Sequence, residues 1–208
     1  MATLKLNDVT TMTESGGTVT MADGVALGTP ASVALTNATS FPAGHVISVS
    51  YVQPTSGGTS TSSNAFIDCP GVTLTKTPAS SSSKFLILYN LHFYIDSHAD
   101  NAWKRVFWAV HRSISGGSSG LVHTPFNDDN AYMFGNFWNA DSDRMMAYQS
   151  GQWLDSPNTT SAITYSIQWG GRTDTGTFTN YIGRTVQDAN ASHMGRAVTV
   201  ITAMEIKA

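Results

Sequence analysis

Charged residues are scarce in this sequence. Lys, Arg, Asp and Glu make up 12% of the 208 residues, against roughly 25% in an average soluble domain. Glutamate occurs only at Glu14 and Glu205, whereas 24 serines and 26 threonines supply most of the polar groups. Because threonine is β-branched and serine competes for backbone hydrogen bonds, this composition favours strands and turns over helices. Charge is also depleted at the centres of subunit interfaces, so its scarcity predicts that neighbouring subunits cover much of the surface.

Other absences exclude whole classes of partner. The net charge of −3 and the pI of about 6.0 leave no basic surface for nucleic acid or an anionic membrane. A single cysteine, Cys69, excludes an intrachain disulfide framework, and we predict that it precedes a turn at Pro70 and Gly71. The sequence contains no long apolar run and no signal-like start. We therefore expect a protein that is made in a cytoplasm and does not insert into a membrane.

The first 40 residues contain no Trp, Tyr or Phe. Short alternating segments, such as Leu4–Val9 and Thr18–Met21, are separated there by Gly and Asp-Gly turn signals. They cannot supply the large apolar groups of an independent core. We predict that residues 1–40 form an extended arm or short shaft for attachment and assembly, the alternative being a disordered tail.

From residue 41 onwards, strand-like runs recur between turn signals, and no convincing amphipathic helix interrupts them. In Ile163–Trp169, apolar and polar residues alternate strictly, which indicates one buried face. The run Lys84–Ile95 is apolar at nearly every position, which predicts a strand covered on both faces. Residues 54–63 are predicted to form a surface loop by composition. The sequence thus predicts an all-β fold, an antiparallel β-sandwich that is jelly-roll-like, over residues 41–208.

Four segments carry a family resemblance: Phe41–Ile47, Val72–Thr75 continuing to Lys84–Leu88, Thr164–Gln168 and Ile201–Ile206. In this order they resemble the C-terminal domains of tail-fibre and virion structural proteins of tailed bacteriophages, particularly marine phages. The resemblance implies a non-enzymatic virion component, assembled in the host cytoplasm as a homotrimer. It also implies attachment to tail or capsid proteins through the N-terminal arm, and contact with a glycan or protein of the host surface. The family shares no catalytic motif or cofactor, and residues 97–160 depart from it.

Three functions follow from these expectations. The first is a trimeric tail-fibre or appendage subunit with a role in host adhesion. The alternative is a capsid decoration (cement) protein that stabilises the shell. An enzyme that degrades polysaccharide is less favoured, because the one Gly-x-Ser-x-Gly match, Gly116–Gly120, lies in the turn that ends the run Trp103–Ile114, with no predicted helix after it. Glutamate is also nearly absent.

The histidines do not have the spacing of metal ligands. Six are present, and none forms a His-x-His or His-Glu-x-x-His motif. The acidic clusters at 127–130 and 141–143 lack the Gly and Glu of a calcium-binding loop, so we interpret them as turn formers. The sequence predicts no metal site, no cofactor and no catalytic residue.

Aromatic residues mixed with polar ones provide the remaining candidate surface. Such a mixture suits carbohydrate recognition or a protein interface, the alternative being a core strand followed by a loop. The candidates are Tyr132, Phe137, Trp138, Asp141, Arg144 and Trp153. The 21 aromatic residues exceed what one sandwich core readily encloses, so we also predict a homotrimer interface near Phe85–Ile95 and Trp103–Ile114.

Overall fold

The computed structural model describes residues 2–6, 9–15, 18–21, 43–54, 59–61, 66–95, 104–122, 146–173, 179–186 and 195–208. Within these ranges the chain forms strands and no helix, which confirms the predicted all-β fold. The strands are β1 (Ala2–Leu6), β2 (Val9–Ser15), β3 (Thr18–Met21), β4 (Val46–Val52), β5 (Thr59–Thr61), β6 (Ile67–Lys76), β7 (Lys84–Ile95), β8 (Lys104–Ile114), β9 (Ser119–Leu121), β10 (Ala147–Asp155), β11 (Ile163–Thr173), β12 (Thr179–Ile182) and β13 (Val200–Ile206).

The chain divides into two compact units, residues 1–41 and 42–208. The first unit contains an antiparallel meander in the order β1-β2-β3. Its register sets Leu4 opposite Met12 and Met12 opposite Met21, while Thr3, Thr13 and Thr20 form the neighbouring row. One row of this small sheet is therefore apolar, and the next consists of threonine. Its predicted role in attachment remains a prediction.

The second unit is a jelly roll built from two antiparallel sheets. One sheet, here called the β7 sheet, has the order β4-β13-β7-β10. Strand β12 pairs with the last residues of β7, on the same side as β13, and β5 pairs with β12. The other, the β11 sheet, has the order β6-β11-β8-β9. Without β5 and β12, the second unit has eight strands, which we number from 1 to 8 along the chain. One sheet then has the order 1-8-3-6, and the other has the order 2-7-4-5. This is the strand order of a jelly roll, as the sequence predicted.

The core lies between these sheets and is formed by alternate residues of their central strands. In β7 the odd-numbered residues from Phe85 to Phe93 are buried, and in β11 those from Ile163 to Trp169 are buried as well. The ring centroids of Phe93 and Trp108 lie 5.2 Å apart, within the range of favourable aromatic pairs. The alternation predicted for Ile163–Trp169 is confirmed.

The outward face of β7 differs from the prediction. The strand itself is confirmed, but its even-numbered residues Leu86, Leu88, Asn90 and His92 are only half-buried. A strand covered on both faces would have them fully buried. From Leu86 to His92, the described part of the chain therefore covers β7 fully on one face only.

Strand β13 buries the face that looks less apolar in the sequence. Ile201, Ala203 and Glu205 are buried, whereas Met204 and Ile206 are half-buried on the opposite face. The carboxylate of Glu205 accepts hydrogen bonds from Ala79 N (2.6 Å) and from Ser48 Oγ (3.1 Å). These partners satisfy a carboxylate that would otherwise be costly to bury.

Two local predictions are wrong. Cys69, Pro70 and Gly71 lie inside β6 rather than in a turn, at a bulge where the register passes from Thr73 opposite Ser166 to Asp68 opposite Gln168. Gly71 has a φ of 74°, a conformation that glycine adopts without strain, so the turn-forming residues shape a bulge. In addition, the predicted loop at residues 54–63 contains the short strand β5.

A buried carboxylate ties the two sheets together at the end of β10. Arg112 Nη1 donates hydrogen bonds to Asp155 Oδ1 (2.8 Å) and Oδ2 (3.0 Å), and Tyr165 Oη donates to Oδ2 (2.7 Å). Asp155 belongs to the β7 sheet, whereas Arg112 and Tyr165 belong to the β11 sheet. Burial, and then the neighbouring Asp155, raise the pKa of the Tyr165 phenol, so the hydroxyl remains a donor to the carboxylate.

We predict that Asp155→Asn lowers the free energy of unfolding by about 2 kcal/mol, since hydrogen bonds to a charged partner contribute about 1.5–3 kcal/mol. Urea denaturation followed by tryptophan fluorescence measures this loss. Gln53→Ala, at an exposed position, is the control and should change little. A loss for Asp155→Asn no larger than that of the control would contradict the structural role of this cluster.

We predict that the Cys69 thiol resists thiol–disulfide exchange in the folded protein. Burial, and then the charge of Asp68, raise its pKa, and the nucleophilic species is the thiolate. At pH 8.5 a folded sample should react with a chromogenic disulfide reagent far more slowly than one unfolded in urea. Equal rates in the two samples would show that Cys69 is accessible. Because the folded pKa is raised, the stabilisation linked to this group is complete below the unfolded pKa and is lost above it.

Candidate functional site

The predicted candidate surface is not assembled by the described part of the chain. Tyr132, Phe137, Trp138, Asp141 and Arg144 lie outside the described residues, as do the acidic clusters at 127–130 and 141–143. Trp153 lies in β10 opposite Ile87 and is 36% exposed.

The outward face of the β7 sheet instead presents a row of apolar side chains. Val49 pairs with Met204, Met204 with Leu86, and Leu86 with Leu154, so the row crosses β4, β13, β7 and β10. Val49 is 54% exposed and Leu154 is 51% exposed, with the other two half-buried between them. We call these four residues the apolar row. An apolar stripe across four strands suits contact with another surface.

A groove lies next to the apolar row on the same face. Its volume is about 400 Å³, within the range of roughly 300–1,000 Å³ that ligand pockets show. The strand register shows that the groove lies over the next two rows of paired residues, on the side of the apolar row toward His92. It is lined by Leu88, Tyr89, Asn90, Ser150, Gly151, Gln152, Val200 and Thr202.

Most of the polar side chains that line the groove are unengaged by the described part of the chain. The side chains of Asn90, Ser150, Gln152 and Thr202 form no hydrogen bond with any described residue, and Asn90 Oδ1 is shielded from solvent as well. No lining residue carries a formal charge. The groove therefore offers amide and hydroxyl groups beside apolar carbon, in a neutral setting.

Exposed tyrosines stand at two sides of the groove. Tyr51 pairs with Thr202 and is 68% exposed, and Tyr148 precedes Ser150 by two residues in β10 and is 72% exposed. The Tyr148 ring lies 6.2 Å from the His92 ring. His92 Nδ1 is 2.7 Å from the carbonyl oxygen of Val198, which orients the imidazole. Two phenol rings are thus available to anything that occupies the groove.

The inner side of the groove floor is packed by Tyr89. Gly151 pairs with Tyr89, and a Cβ atom at Gly151 would overlap the phenol ring. Because Tyr89 is buried, its ring has little room to move aside. The same burial raises the pKa of its phenol. Position 151 therefore requires glycine, because the Tyr89 ring occupies the space that a side chain there would need.

The sequence signals for this face were present but ambiguous. The apolar run of β7 predicts two covered faces, and the alternation in Val200–Ile206 sets Met204 and Ile206 on the same face. Nothing in the sequence indicates that Val49 and Leu154 join them. Their alignment follows from the strand register alone.

We predict that Gly151→Ala destabilises the protein by about 1–3 kcal/mol, the usual cost of forcing extra atoms into a packed site. The control is Gly120→Ala in β9, where a Cβ atom would meet no atom within 4 Å. Thermal unfolding of both variants checks this. Equal melting temperatures would mean that Tyr89 yields freely, contrary to its burial.

The described ranges contain no group of three or more His, Cys, Asp or Glu side chains arranged to hold a metal ion. They also contain no helix long and apolar enough to cross a membrane. No family model matches the chain, and no curated protein is similar to it in sequence.

Proposed function

We propose that this chain is a non-enzymatic structural subunit of a bacteriophage virion, namely a homotrimeric tail-fibre or appendage subunit with a role in host adhesion. The observation that carries the proposal is the apolar row on the outward face of the β7 sheet. The jelly-roll fold supports it, since viral capsid proteins and lectins use this architecture. The assignment to a phage virion, the homotrimer and the role in host adhesion come from the resemblance of the sequence to phage proteins.

A partner on the apolar row accounts for its composition. Val46 and Ile47, which are 48% and 39% exposed, extend the apolar surface along β4. Soluble monomers rarely expose contiguous apolar surface of this kind. Other copies of this chain are the proposed partner, because closed symmetry buries such a patch without forming filaments. The number of three subunits comes from the resemblance of the sequence to phage virion proteins.

The proposed interface is narrower than the one predicted from the sequence. Strand β7 contributes its outward face, as expected. In β8, however, residues 106–110 are all buried within the chain itself. The proposed interface therefore does not include the centre of β8. Residues 1–40 are proposed to attach the subunit to other virion proteins.

We predict that the protein has three times the mass of its 22.2 kDa chain when measured by light scattering at micromolar concentration. The double variant Val49→Glu and Leu154→Glu should be monomeric, because it places two carboxylates on the apolar row. Thr73→Glu, at an exposed position of β6 in the other sheet, should remain trimeric. Circular dichroism verifies that all three proteins are folded.

A folded wild-type species of 22.2 kDa would contradict the oligomer. A trimer that persists in the double variant would show that the apolar row is not the interface. Immunogold labelling of phage particles tests the place in the virion. Labelling at the tail or its appendages supports the proposal, whereas labelling of the shell would indicate the alternative role as a capsid decoration protein.

A further inference from the structure

We propose that the groove on the outward face of the β7 sheet is a binding site for an uncharged saccharide built from hexose or N-acetylhexosamine units. This inference rests on the adhesion role proposed above and assigns it a site and a class of ligand. The site lies apart from the aromatic candidates predicted from the sequence.

The lining of the groove matches the two kinds of surface that a sugar ring presents. Leu88 and Val200 offer apolar contact for C–H groups. Ser150 and Thr202 offer hydroxyls, and Asn90 and Gln152 offer amides, which both donate and accept hydrogen bonds. Because none of these side chains is engaged within the described residues, ligand hydroxyls would not have to displace internal hydrogen bonds.

Among the described residues, several buried polar atoms have no hydrogen-bond partner, and the oxygen of Asn90 is the one among them that belongs to the groove lining. Asn90 Oδ1 is shielded from solvent and has no hydrogen-bond partner, an arrangement that costs about 1–3 kcal/mol. Rotation of the amide about its last torsion exchanges the positions of the oxygen and the nitrogen. A ligand hydroxyl would partner the amide atom that faces the groove, and a turn of the Asn90 side chain toward the ligand would bring the shielded atom within its reach.

The flanking tyrosines provide flat surfaces for a sugar. Tyr51 and Tyr148 are both more than two-thirds exposed, and a phenol ring combines a large apolar face with a polar end. Stacking of a pyranose on either ring would add apolar contact without charge. The two rings stand at different sides of the groove, so a ligand longer than one ring could contact both.

The absence of charge selects among ligands. Sialylated, sulfated or phosphorylated glycans are normally held by Arg or Lys, whose donors pair with the anion. No residue of either sign lines the groove. A neutral saccharide is therefore favoured over an acidic one.

The groove and the apolar row can be altered independently. The row formed by Val49, Met204, Leu86 and Leu154 is adjacent to the row that contains Thr202, Leu88 and Gln152. A change at Val49 or Leu154 removes no groove residue, and a change at Gln152 removes no member of the apolar row. Binding and assembly can thus be scored separately.

The experiment applies the full-length protein to an array of neutral, sialylated and sulfated oligosaccharides and titrates the best ligand by calorimetry. We expect neutral hexose or N-acetylhexosamine glycans to bind. Gln152→Ala and Asn90→Ala should each weaken binding at least tenfold, which corresponds to about 1.4 kcal/mol. Gln152 is exposed, so its variant should fold even if the Asn90 variant does not. Thr73→Val, a hydroxyl removed from the other sheet, should bind as the wild type does.

Three results would overturn the site: no glycan binds, only acidic glycans bind, or the Gln152 variant binds as well as the wild type. Binding of a peptide or protein in place of a glycan, with the same loss in the variants, would also refute the saccharide assignment. If trimers form and particles are labelled but no glycan binds, this inference fails while the proposed function stands. If neutral glycans bind but no particle is labelled, the site stands and the virion role fails.

Discussion

The packing of β7 against the β11 sheet is the constraint on which the rest of the second unit depends. Strand β7 pairs with β10 on one side and with β13 and β12 on the other. Once its odd-numbered residues enter the core, the antiparallel register fixes which residues of β10 and β13 face inward. Because side chains alternate along a strand with a period of two, the same choice fixes the whole outward face. The apolar row and the groove follow from this alternation of inward and outward residues.

The sequence predicted the fold well where polar and apolar residues alternate clearly. Ile163–Trp169 shows this pattern, and the structure buries the expected face. The prediction was weaker for β7, where the outward residues are also apolar, and for β13, where Glu205 faces inward. In both strands the usual rule fails for a physical reason. The outward face of β7 carries apolar residues that are only half-buried, and the buried carboxylate of β13 has two hydrogen-bond donors.

The candidate surface could not be derived from the sequence because its parts are far apart in the chain. Val49, Leu86, Leu154 and Met204 are separated by tens of residues and meet only through the strand register. Sequence reasoning favoured a local cluster of aromatic residues instead, and of its candidates only Trp153 lies in a described strand. Local clusters are visible in a sequence, whereas surfaces built across a sheet require the topology.

Four charged residues of the described jelly roll join its parts. Arg112 and Asp155 connect the two sheets, Glu205 holds the turn before β7, and Asp68 accepts hydrogen bonds from Ser166 and Gln168. The groove, by contrast, is lined only by neutral residues. Charged residues thus stabilise the fold, whereas the apolar row and the groove consist of apolar groups, hydroxyls and amides. Such a face can be covered or occupied without leaving a charge unpaired, which is the expensive outcome at any interface.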